Sequence, residues 1–147
     1  MREIKSLELW YINNIFYLRA YSLTTAGVSY CGENTIHIIP ENDIERLPEE
    51  IMKTLEECKQ GIPHPDFRVK QENKMLKIVG VKTEKALMKE GKTIVIYFEH
   101  NHLELCPYYF DGKYLKSALE MDMQCSLEPD DIIKTVQEAL KKCEKPV

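Results

Sequence analysis

Residues 93–98, TIVIYF, give the clearest strand signal in this chain. Every residue in it is β-branched or aromatic, which are the side chains that favour β-strands. The apolar run is unbroken, which indicates burial on both faces, not one solvated face. We therefore expect a strand near the centre of a sheet.

Strand signals also fill the first forty residues. Residues 7–12 and 15–21 are rich in aromatic and branched side chains, and they flank Asn13-Asn14, which predicts a hairpin. A further strand over 35–39 follows a predicted turn at 32–34. Later in the chain, strands are predicted over 67–69 and 75–81 around Glu72-Asn73, over 103–110, and over 121–125.

Helical spacing appears in three places. Apolar residues recur at positions 44, 47, 51, 55 and 58, Thr83 can cap a short helix over 84–89, and positions 132, 133, 136, 139, 140 and 143 trace an apolar stripe near the C-terminus. The predicted fold is α+β. We expect one mixed α/β domain over residues 1–147, with a largely antiparallel central sheet and two or three helices, including a C-terminal helix.

Length and composition narrow the class of protein. The chain has 147 residues, is 44% hydrophobic and carries a net charge of -4, which suits one domain of ordinary size. It contains no run of about 18 apolar residues, so we expect no membrane span. The N-terminus lacks the features of a signal peptide, and the five cysteines form no CxxC pair. These observations predict a cytoplasmic protein with reduced thiols.

The sequence contains few hints of catalysis. His100 and His102 stand two residues apart, with Cys106 nearby, a grouping that could hold zinc or form a nonstandard enzyme site. Cys31 or Cys106 could serve as a nucleophile beside a histidine. An exposed turn and buried thiols explain the same residues, and the standard enzyme motifs are absent. We therefore expect no catalytic residue, no metal and no cofactor.

Charge is distributed unevenly along the chain. Residues 41–57 contain seven acidic residues against two basic ones, residues 68–92 contain eight basic residues against three acidic ones, and a second acidic set surrounds Asp122 and Asp130. Converging acidic clusters would accelerate encounter with a basic protein and repel nucleic acid. A solvated helix face is the alternative explanation. Tyr108-Tyr109-Phe110 cannot all face a core, so we expect an exposed aromatic contact there.

The organisation resembles that of cytoplasmic immunity proteins from bacterial contact-dependent growth inhibition and related polymorphic toxin systems. The features that carry the resemblance are the aromatic opening strand pair from Trp10 to Tyr21, the Gly27 turn leading into residues 35–38, and the Ser126–Pro129 approach to the last helix. The resemblance implies a non-catalytic protein that binds a cognate toxin domain and covers its active site. It implies that acidic groups would compete with the phosphate backbone at a basic nuclease.

This interpretation selects eight candidate contact residues. Five glutamates are predicted to steer association and three residues to make secondary contacts; they are Glu45, Glu49, Glu50, Glu56 and Glu57, then Asp122, Asp130 and Tyr109. The expected partner is a toxin domain, with no direct nucleic-acid or membrane binding, and a homodimer stays open. Two alternatives remain, a small enzyme built on His100, His102 and Cys106, and an adaptor or oligomer subunit that uses an uncovered sheet edge.

Overall fold

The computed structural model describes residues 5–31, 34–68, 73–117 and 119–143. The strands are β1 (Lys5–Ile12), β2 (Ile15–Ala20), β3 (Ser22–Thr24), β4 (Ser29–Tyr30), β5 (Ile36–Pro40), β6 (Gln60–Ile62), β7 (Lys92–Glu99), β8 (His102–Phe110), β9 (Leu115–Ser117) and β10 (Met123–Cys125). The α-helices are α1 (Leu47–Glu56), α2 (Lys74–Val79), α3 (Glu84–Glu90) and α4 (Pro129–Lys141). Two 3₁₀-helices span Glu41–Arg46 and Leu119–Met121.

The main sheet is antiparallel throughout. Its strand order is β10-β8-β7-β1-β2-β5, and β9 pairs with the far end of β8. A small second sheet, ordered β4-β3-β6, includes a parallel pair between β3 and β6. The predicted α+β class, the antiparallel central sheet and the C-terminal helix are confirmed. Within the described ranges there are four α-helices, one more than the upper number predicted.

Two-residue turns close the long hairpins of this sheet. Asn13 and Asn14, between β1 and β2, have φ values of 52° and 61°. His100 and Asn101, between β7 and β8, have φ values of 53° and 60°. Two successive left-handed residues form the turn whose twist matches antiparallel strands, and asparagine tolerates this conformation better than most residues. The Asn13-Asn14 prediction is confirmed, and the histidine interval is also a tight turn.

The first hairpin supports a stability prediction. Replacing Asn14 with Val should lower the free energy of unfolding by about 1–2 kcal/mol relative to Asn14→Gly, because valine resists the left-handed conformation and glycine does not. Both variants lose the hydrogen bond that the Tyr11 hydroxyl donates to Asn14 Oδ1, so their difference isolates the backbone effect. Urea unfolding measures it, and equal midpoints would contradict the assignment of this turn.

One face of the main sheet, here the first face, carries the larger core. Fully buried side chains from four strands lie on it: Leu7, Leu9, Phe16, Leu18, Ile94, Ile96, Leu103 and Leu105. Helix α1 covers them with residues at i, i+4 and i+8, namely Leu47, Ile51 and Leu55. Helix α4 packs beside it through Ile132 and Val136. The apolar periodicities found in the sequence therefore place both helices on this face.

Helices α2 and α3 cover only one end of the opposite, second face. Trp10 and Tyr17 pack there against Met75 and Leu87 in a smaller core. Gly91 lies under the Trp10 ring, where a Cβ atom would approach the ring to 3.1 Å. The predicted helix after Thr83 is confirmed, since the Thr83 side chain accepts a hydrogen bond from the Ala86 amide. The other two α-helices, α1 and α4, pack on the first face.

The prediction of a strand over residues 75–81 is wrong, because α2 occupies most of this segment. Asn73 caps the helix by accepting a hydrogen bond from the Met75 amide, and Gly80, with φ 90°, ends it in the left-handed conformation. These are standard helix boundaries, and they override a short apolar run that has no clear period. Phe67 and Arg68 lie in a turn, not a strand. The remainder of the predicted 67–69 strand, and residues 32–33 of the predicted turn, lie outside the described residues.

Strand β7 occupies the central position that TIVIYF predicted, between β8 and β1. The prediction that this strand is buried on both faces is only partly correct. Ile94 and Ile96 are fully buried on the first face, whereas Val95 and Tyr97 on the second face are half-buried. The second face therefore offers accessible side chains at the centre of the sheet. None of the described helices is long and apolar enough to cross a bilayer.

Candidate partner-binding surfaces

The five predicted steering glutamates lie on one outer side of the protein. Glu45 belongs to the 3₁₀-helix Glu41–Arg46, Glu49, Glu50 and Glu56 to α1, and Glu57 follows α1 directly. We call Glu45, Glu49, Glu50, Glu56 and Glu57 the acidic surface. Because α1 points its apolar residues into the first-face core, its charged side faces solvent. Glu45, Glu49 and Glu56 are the exposed members, and Glu50 and Glu57 are half-buried.

Among the described residues, two ion pairs and one histidine–carboxylate contact lie on the acidic surface. Lys53 Nζ lies 3.1 Å from Glu49 Oε1, Arg46 Nη2 lies 3.9 Å from Glu50 Oε1, and His37 Nε2 lies 2.7 Å from Glu57 Oε1. Neither Glu45 nor Glu56 has an ion-pair partner among the residues that the structure describes. An exposed pair such as Lys53–Glu49 contributes little to stability. With seven acidic residues against two basic ones over 41–57, the surface remains negative.

The three secondary candidates do not join the acidic surface as one patch. Asp130 is exposed in the first turn of α4, on the first-face side. Tyr109 is half-buried. It is four residues after Leu105 on β8, so both residues lie on the first face. Asp122 approaches Cys106 on the second face, so the sheet separates it from the glutamates. The sheet therefore separates Asp122 from the acidic surface, whereas Asp130 and Tyr109 lie on the same side of the sheet as that surface.

A polar cluster on the second face was missed by the sequence analysis. Register across the sheet aligns Arg19 of β2, Glu8 of β1, Val95 of β7 and Cys106 of β8 in one row. Arg19 Nε donates to Glu8 Oε1 at 2.8 Å, and the two residues are 5% and 8% exposed. A signal for this pair existed, because the two charges stand equally far from the Asn13-Asn14 turn and must face each other in a hairpin.

The same row ends in a group of two carboxylates and a thiol. One ligand atom each from Glu104, Cys106 and Asp122 all lie within 4.8 Å of one another. Tyr97 and Tyr108 stand beside this group, and burial raises the pKa of both hydroxyls. We call Glu104, Cys106 and Asp122 the thiol–carboxylate cluster.

The thiols on this face are not activated as nucleophiles. Burial, followed by the nearby carboxylates Asp122 and Glu104, raises the pKa of the Cys106 thiol to about 12. Burial and Glu8 raise the pKa of the Cys31 thiol to about 12 as well. A reactive cysteine needs a lowered pKa so that the thiolate is present at neutral pH. The nucleophile hypothesis for Cys31 and Cys106 therefore gains no support from these surroundings.

The fold does not bring His100 and His102 close to Cys106. His100 belongs to the β7–β8 turn, and His102 begins β8. Cys106 stands four residues further along the strand, which at about 3.3 Å per residue is roughly 13 Å away. Within the described ranges, the group that could hold a metal ion contains Cys106 with two carboxylates and neither histidine.

No family model matches the chain, and no curated protein sequence matches it. Solved structures, by contrast, do match the chain. A protein of unknown function from Neisseria meningitidis superposes with a TM-score of 0.74 at 18% identity, covering 96% of each chain. A chain of the CdiA-CT/CdiI toxin and immunity complex from Yersinia pseudotuberculosis superposes with a TM-score of 0.69 at 14% identity. That match covers 97% of this chain and 98% of the other.

The protein shares its fold with a chain of a toxin and immunity complex. At these identities the likeness establishes the fold and leaves function to be argued from the chain's own surfaces.

Proposed function

We propose that this chain is an immunity protein, which binds a cognate toxin domain and blocks its active site without catalysing a reaction. The observation that carries the proposal is the superposition on a chain of the Yersinia toxin and immunity complex, which covers 97% of this chain and 98% of the other. The expectation of a cytoplasmic location belongs to the same proposal.

The acidic surface is the part of the protein that the proposal assigns to partner attraction. Glu45, Glu49 and Glu56 are exposed on the 3₁₀-helix Glu41–Arg46 and on α1, whose apolar residues pack into the first-face core. Negative side chains held in place attract a basic partner over a distance set by salt screening, and they accelerate encounter. A basic nuclease domain fits this field, because its active site attracts a phosphate backbone and would accept a row of carboxylates instead.

Neutralisation in living cells tests the proposed function. A tagged copy of the chain is expressed in its native cells and purified in moderate salt, and any toxin domain that co-purifies is then expressed with and without the chain. We expect one toxin-like protein to be retained, and growth to be restored by co-expression. If no toxin domain is retained although its gene is expressed, or if growth stays inhibited, the proposal is wrong.

A further inference from the structure

The thiol–carboxylate cluster lies apart from the acidic surface, and its charges are not compensated within the described part of the chain. Cys106 is 8% exposed, and its Sγ lies 3.9 Å from Glu104 Oε1. Asp122 Oδ1 is buried and accepts no hydrogen bond from the described residues. Neither Glu104 nor Asp122 forms an ion pair with a lysine, arginine or histidine in those same ranges. A buried polar atom without a hydrogen-bond partner is costly, and it indicates room for a ligand.

A second thiol on the same face, that of Cys31, also lies beside a carboxylate, but there a cation is present. Cys31 Sγ also lies 3.9 Å from a carboxylate oxygen, Glu8 Oε1. There, however, the Arg19 guanidinium contacts Glu8 directly, with Nη2 at 2.6 Å from Oε1. The two arrangements match in their thiol and carboxylate, and they differ in the presence of a cation. The thiol–carboxylate cluster has a second carboxylate in place of the arginine.

We propose that Glu104, Cys106 and Asp122 bind one divalent cation that accepts sulfur and oxygen ligands, with zinc as the best fit. Zinc takes thiolate and carboxylate ligands at about 2.0–2.3 Å, so its ligand atoms lie roughly 3.5 Å apart. The three ligand atoms lie within 4.8 Å of one another, which is close to that spacing. Harder cations such as magnesium and calcium favour all-oxygen sites and would leave the sulfur unused.

The strands fix two of these ligands before any ion arrives. Glu104 and Cys106 are alternate residues of β8 and therefore point to the same face. Asp122 immediately precedes β10, whose register places it opposite Cys106. Three protein ligands leave the fourth position of a tetrahedral ion open to water or to a group from a partner. The site is part of the second face and does not involve the proposed acidic surface.

Zinc binding to the purified full chain tests this inference. Equilibrium dialysis against buffered free zinc should give one zinc per chain. Cys106→Ser and Asp122→Asn should each weaken binding by more than about tenfold, because losing a group that only orients a ligand already weakens metal sites by about 10–100-fold. Cobalt should produce a thiolate charge-transfer band that Cys106→Ser abolishes. Far-UV circular dichroism establishes that each variant is folded.

The matched control is Cys31→Ser, which removes the thiol beside the compensated carboxylate. It should retain one zinc per chain and the cobalt band. The inference is overturned if the unaltered chain binds no zinc, if Cys106→Ser and Asp122→Asn bind as tightly as it does, or if Cys31→Ser removes the band. Because the readout is metal content and spectrum, the result does not depend on whether a toxin partner exists.

Discussion

Replacing Arg19 with Met is expected to lower the free energy of unfolding by about 3–5 kcal/mol, the largest stability effect foreseen for a single residue here. The Arg19 guanidinium is the cation that compensates Glu8, and the two side chains are only 6% and 11% exposed. Without it, Glu8 retains weaker contacts with the Tyr21 hydroxyl at 3.5 Å and the Cys31 thiol at 3.9 Å. Urea unfolding at neutral pH measures the loss.

Two comparison variants show whether the cost arises from the unpaired charge. Glu8→Leu combined with Arg19→Met should recover most of the lost stability, because apolar replacements of a buried ion pair are often neutral or stabilising. Lys53→Met removes the cation of the exposed Glu49 pair and should change stability by less than about 1 kcal/mol. An Arg19→Met loss as small as that of Lys53→Met would refute the role assigned to the buried pair.

Reversing the charge of the exposed acidic residues is expected to slow toxin association by about 10–100-fold at low ionic strength, with a weaker dependence on salt. The variant is Glu45→Lys, Glu49→Lys and Glu56→Lys together, the three exposed members of the acidic surface. Glu50 and Glu57 are left unchanged because they pair with Arg46 and His37. Stopped-flow mixing over a range of salt concentrations measures the rate.

A second triple variant carries the same change in net charge at other sites. Glu84→Lys, Glu90→Lys and Glu120→Lys alter exposed residues on α3 and on the 3₁₀-helix Leu119–Met121. This variant should associate within about threefold of the unaltered chain if steering is local to the acidic surface. Equal slowing by both variants would mean that only total charge matters, and no slowing by the first would refute the steering assignment.

Local signals in the sequence predicted most of the main sheet. Asn13-Asn14 marked the first hairpin, and TIVIYF marked the central strand, because each signal depends on neighbouring residues alone. The apolar stripe of α4 was equally clear. The prediction for residues 75–81 was wrong because the apolar and basic residues of this short segment show no clear helical or strand period. The helix was indicated instead by its boundary residues, Asn73 and Gly80.

The candidate sites depended on long-range register, which a single sequence shows less directly. Asp122 is opposite Cys106 only because β10 pairs with β8 after an intervening strand and a 3₁₀-helix. His100 and His102 looked like ligands because they are close in sequence, but a tight turn and a strand start account for them. The row of residues that contains Glu8, Arg19 and Cys106 needs three strand registers, of which the sequence analysis predicted only the first hairpin.

If this chain neutralises a toxin by binding it, the purified chain should inhibit the purified toxin domain. Increasing amounts of the chain are added to the toxin domain that co-purifies with it, while toxin activity and heat of binding are recorded together. The account predicts a 1:1 complex with a Kd in about the nanomolar range and complete loss of activity at equivalence. Full toxin activity in a saturated complex, or no binding at micromolar concentrations, would contradict it.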